Sequence, residues 1–79
     1  MARVDWQDYV EIAPDIHHGE PCIKETRIPV SVIVGSLADG MTFEEIQEAY
    51  PQLTTDAIRA ALAYAAEILH DTLYAPLPA

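Results

Sequence analysis

The chain has 79 residues, and its 13 Asp and Glu against 4 Lys and Arg give a net charge of -9. That length holds one domain, and the charge opposes any general affinity for phosphate backbones, so a nucleic-acid contact would have to be local. The hydrophobic fraction of 51% is too high for disorder by composition, yet 12 of those residues are Ala, so one core yields roughly 3–5 kcal/mol and a second copy or partner chain is expected.

In chain order, Met1-Ala2-Arg3-Val4-Asp5-Trp6 carries no apolar leader and no cleavage site, so secretion is not expected. Tyr9-Val10-Glu11-Ile12 alternates like a strand and stops at Ala13-Pro14-Asp15, a turn-forming triplet. His17-His18-Gly19-Glu20-Pro21 is a second turn cluster. Cys22-Ile23 and Thr26-Arg27-Ile28 are β-prone around the polar Lys24-Glu25. Residues 1–29 therefore predict a short β-hairpin or β arm.

After Pro29 the period changes. Apolar residues at 30, 33, 34, 37 and 38 predict a helix that Asp39-Gly40 ends, with Gly40 in the left-handed position. Gly35 inside it costs about 1 kcal/mol in propensity and suggests close backbone packing. Thr42-Phe43-Glu44-Glu45 reads as a capping box, with Met41 and Ile46 as its hydrophobic staple. This second helix cannot pass Pro51. Thr54 caps a third, with Leu53 and Ile58 as staple and Asp56 in its first turn, running to about Asp71 or Thr72. The expected whole is a single domain over residues 1–79: β arm 1–29, three-helix unit 30–72 and a loose tail 73–79. No apolar run reaches the roughly 18–20 residues of a membrane span.

The third helix is unusual. Between Ala57 and Leu69 only Arg59 and Glu67 are charged. Ile58, Ala61, Leu62, Ala65, Ile68 and Leu69 form one stripe, expected to face the core. The other side still carries Ala60, Ala63, Tyr64 and Ala66, and an all-round apolar helix is usually buried on more than one face. Ala60, Ala63, Tyr64 and Glu67 are therefore the expected homodimer interface, the alternative being an Ala-rich helix chosen for propensity. As a DNA reader this helix is thin, since its first turns offer only Thr55, Asp56 and Arg59.

Three further groups carry possible chemistry. His17, His18 and Cys22 fall short of the four ligands a structural zinc site needs, so no metal is expected. Cys22 as a nucleophile needs a base and an oxyanion site that the pattern does not supply, so the chain is not expected to be an enzyme, and no cofactor is expected. The single Cys excludes an internal disulfide and suits a reducing cytoplasm. Lys24, Thr26 and Arg27 form a short basic segment that either meets a phosphate or acidic partner, or pairs locally to fix the arm. Glu44, Glu45 and Glu48 make an acidic face, solvated or set against a basic protein.

The string His18-Gly19-Glu20-Pro21-Cys22-Ile23-Lys24-Glu25-Thr26-Arg27-Ile28-Pro29-Val30, with Asp39-Gly40-Met41-Thr42-Phe43-Glu44-Glu45-Ile46, Tyr50-Pro51-Gln52-Leu53-Thr54 and Ile58-Arg59-Ala60-Ala61-Leu62-Ala63-Tyr64-Ala65, resembles domain-of-unknown-function family 433. The resemblance covers about residues 9 to 71. Where the family pattern usually has Gly before Thr-Arg, this chain has Glu25. The resemblance implies a mainly α, homeodomain-like helix-turn-helix bundle with a short N-terminal β arm. It also implies an antitoxin of VapB-like type, paired with a PIN-like ribonuclease toxin encoded next door, that represses its own operon. It carries over no catalytic residues. The alternative is a stand-alone DNA-binding regulator that contacts operator DNA through Lys24, Thr26, Arg27, Thr55 and Arg59.

Overall fold

The computed structural model describes residues 4–13 and 19–73. A 3₁₀ turn, Trp6–Asp8, precedes three short strands, β1 Val10–Glu11, β2 Cys22–Ile23 and β3 Ile28–Pro29. Three helices follow: α1 Val30–Ala38, α2 Phe43–Ala49 and α3 Thr55–Leu73. The mainly helical class with a β arm expected from the sequence is what the chain adopts.

The strands form an antiparallel sheet in the order β1-β2-β3. Its register lines Val10 up with Ile23 and Ile23 with Ile28. All three are buried, so one cross-strand row supplies the sheet's contribution to the core. The strands are shorter than the sequence predicts. Thr26 and Arg27 belong to the β2–β3 turn rather than to a strand, because Glu25 and Arg27 take the left-handed conformation at φ 68° and 58°.

Helix α1 starts directly after Pro29, whose φ of -64° and ψ of 143° lead into it without a side-chain cap. It stops where Gly40 turns at φ 95° and donates its N–H to the Leu37 carbonyl at 3.0 Å. Helix α2 has the predicted box: Glu45 N–H donates to Thr42 Oγ1 at 3.1 Å and Thr42 N–H to Glu45 Oε1 at 2.9 Å. Thr54 caps α3 by accepting from the Ala57 N–H at 3.0 Å, with Leu53 and Ile58 both buried beside it. The expectation of close packing at Gly35 is corrected, since a Cβ added there meets nothing within 4 Å.

Ile33, Ile46 and Ile58, one from each helix, are fully buried members of a single cluster that also takes in the sheet row. Helices α1 and α2 both pack on α3. Of the tail expected over 73–79, Leu73 is the last residue of α3, and residues 74–79, like His17 and His18, lie outside the described residues. No helix among the described residues is long and apolar enough to cross a membrane.

Candidate functional site

Helix lengths decide which surfaces stay open. At 1.5 Å per residue α1 spans about 14 Å, α2 about 10 Å and α3 about 28 Å. Neither shorter helix can accompany α3 to its end. Of the stripe expected to face the core, Ile58 and Ala61 are buried, but Leu62, Ile68 and Leu69 are 37%, 48% and 59% exposed. The periodicity is as read, but the stripe is covered at Ile58 and Ala61 and left open at Leu62, Ile68 and Leu69.

The opposite face is partly closed from within the chain. Ala60 and Ala63 are buried within the single chain. The 3₁₀ turn packs on α3, bringing the Trp6 ring against Tyr64 and its Nε1–H to the Glu67 carboxylate. Of the residues expected to meet a second copy, Ala63, Tyr64 and Glu67 thus lie where the chain's own N-terminal turn packs, and Ala60 is buried.

The five residues expected to bind nucleic acid or a partner do not converge. Thr26 Oγ1 donates to the Ile23 carbonyl at 2.9 Å and accepts from the Ile28 N–H at 3.0 Å, closing the β2–β3 turn. Lys24 Nζ donates to the Gln7 carbonyl at 3.1 Å, in a hollow shared with Asp8, Glu11 and Glu25. Arg27 is exposed on the same turn. Thr55 Oγ1 accepts from Gln47 Nε2 at 3.3 Å. Arg59 sits 3.8 Å from Asp56, over a separate hollow with Val4, Leu62 and Ala66. Lys24 and Thr26 do border a cleft of about 360 Å³ with Gln52 and Thr54, so the hairpin turn lies beside the start of α3. Carboxylates accompany both Lys24 and Arg59, which weakens their pull on a phosphate.

Cys22 is 1% exposed, and its Sγ–H donates to the Glu20 carbonyl at 3.3 Å. Burial first, then the Glu20 and Glu11 carboxylates, pushes its thiol above the ordinary 9.0. A protonated, enclosed thiol is a poor nucleophile and a poor metal ligand.

A surface that sequence reasoning missed lies between α1 and the far half of α3. Pro21, Val30, Val34, Ala65, Ile68 and Leu69 line an almost wholly apolar groove of about 340 Å³. Val30 and Val34 are one turn apart on α1, and Ala65, Ile68 and Leu69 face them from α3. No motif in the sequence signals it, since its two walls come from separate elements.

A family model described as a protein of unknown function (DUF433) matches residues 10–65. The chain is 39% identical over 59 residues to the uncharacterized protein y4eO of Sinorhizobium fredii, covering 75% of this chain and 27% of the relative. It therefore spans about a quarter of that protein's length. The crystal structure of a DUF433 member from Anabaena variabilis superposes with a TM-score of 0.75 at 31% identity, covering 82% of this chain and 64% of the other.

Proposed function

The chain belongs to the DUF433 family, whose function is unknown; from its surfaces we propose that it is a small acidic protein-binding module and, following what the sequence resemblance implies, the antitoxin of a toxin–antitoxin pair. The observation that carries this reading is the exposure of Leu62, Ile68 and Leu69 on one helix of a chain with net charge -9. Exposed aliphatic side chains in a small domain favour a protein partner. The surplus of carboxylates favours a basic one, and occupying the RNA-binding surface of a ribonuclease excludes its substrate's phosphates.

A second reading, DNA-binding regulator, is favoured by the α2–turn–α3 arrangement, in which Thr54, Thr55 and Asp56 are exposed at the head of the longest helix. It is the weaker, because Arg59 lies beside Asp56 and Lys24 beside Asp8, Glu11 and Glu25.

Co-expression of the tagged chain with the product of the adjacent gene tests the proposal. The neighbour alone should arrest growth, and the tagged chain should relieve the arrest and retain it on a column. A harmless neighbour that is not retained overturns the antitoxin reading. A shift of the chain's own promoter DNA at low salt, lost in Arg59→Ala, would move the assignment to the regulator.

A further inference from the structure

We propose that the groove between α1 and the C-terminal half of α3 receives an amphipathic helix of the partner protein, with aliphatic side chains on its inner face and Lys or Arg flanking them. This rests on the protein-binding reading above and names the occupant of one surface.

The walls have the form that a helix fits. Val30 and Val34 on α1 stand opposite Ala65, Ile68 and Leu69 on α3, with Pro21 closing one end. Two helical walls, the small Ala65 leading to the larger Ile68 and Leu69 on one of them, suit side chains spaced three and four residues apart. Ile68 and Leu69 are about half exposed, so an occupant removes aliphatic surface from water on both sides of the contact.

Charge selects among occupants. Among the described residues no Lys or Arg lines the groove, whereas Glu20 stands at its edge, where its Oε1 accepts from Ser31 Oγ at 2.5 Å. Asp71 is exposed on the same stretch of α3, whereas Glu67 lies on the face that meets Trp6. A cationic helix finds counter-charges beside the apolar contact. A second copy of this chain brings the same acidic rim and another -9 to the interface, which opposes pairing through this face. The family match ends at residue 65, so Ile68 and Leu69 of the α3 wall lie beyond the matched segment while Ala65 lies within it.

The probe is a labelled Leu/Lys peptide of about 18 residues with leucines on one helical face, titrated against the full chain by fluorescence anisotropy. Saturable binding is expected, weakened about tenfold in Leu69→Asp and in Ile68→Asp. Each substitution adds negative charge, so a loss of affinity for a cationic peptide reports the apolar contact and not charge attraction. Both positions are exposed enough for the fold to survive, which thermal melts of the two variants check. Equal binding of a scrambled peptide with the same composition overturns the proposal. So does unchanged affinity in both variants, or a dimer of the chain alone that Leu69→Asp dissociates. A neighbour retained equally by wild type and Leu69→Asp removes the groove and leaves the antitoxin reading standing. Peptide docking without retention of the neighbour does the reverse.

Discussion

The indole of Trp6 meets the ring of Tyr64 edge to face, with centroids 4.8 Å apart and planes at 76°. The two residues come from opposite ends of the described chain, and the contact lays the N-terminal turn along α3. Asp5 starts that turn by accepting the Gln7 N–H at 3.1 Å, and Tyr9 N–H closes it on the Trp6 carbonyl at 2.9 Å. The indole Nε1–H then reaches Glu67. An edge-to-face aromatic pair adds about 0.5–1.5 kcal/mol beyond its area, a substantial part of the stability of so small a domain.

Trp6→Ala should therefore lower stability by about 2 kcal/mol, or roughly 10 °C in Tm, read by thermal circular dichroism. Trp6→Phe keeps an aromatic edge but no donor, and should recover more than half of that loss. Trp6 is the single Trp, so its emission maximum reports the same docking independently. A melt unaffected by Trp6→Ala would mean that the turn does not hold α3.

The helices were legible because their signals are local. Thr42 and Glu45 lie within one turn of each other, and Gly40 and Thr54 act on neighbouring amides. Apolar spacing after Pro29 placed α1 over the very residues it occupies, Val30–Ala38. The side of α3 left open was not legible, because it depends on tertiary neighbours. Trp6 precedes any periodic segment, so nothing in its surroundings indicates that it packs on Tyr64 and Glu67. The groove lies between α1 and α3, a relation between two elements that no single window contains.

Gly35 offers a test of the opposite sign. Its added Cβ meets nothing within 4 Å, and φ there is not left-handed. Gly35→Ala should raise stability by about 0.5–1 kcal/mol through helix propensity and a less flexible unfolded chain. A loss of stability in chemical denaturation would show that the position carries a packing role.

Glu25 holds φ at 68°, where a side chain is strained and glycine is not. The family pattern's Gly at this point agrees with the turn observed, which this chain keeps despite the substitution. Glu25→Gly should stabilise the chain by about 1 kcal/mol, less the extra freedom it gives the unfolded state. Glu25→Ala keeps the left-handed strain and should give little or none of that gain. Comparing the two melts separates backbone strain from loss of the carboxylate beside Lys24.

Cys22 links burial to pH. Because its folded pKa lies above the ordinary 9.0, the folded chain holds the thiol proton more tightly than the unfolded one. The resulting stability is present in full below the unfolded value and is lost as pH rises through the higher folded value. Wild-type Tm should thus fall faster above pH 9.0 than that of Cys22→Ala, which lacks the group and supplies the baseline. Alkylation of the native chain by iodoacetamide at neutral pH should be slow, since the thiolate is the attacking form, and should accelerate when denaturant exposes the thiol. Rapid alkylation of the folded chain at neutral pH would contradict the enclosed, protonated thiol, and would return Cys22 to the set of candidate reactive groups.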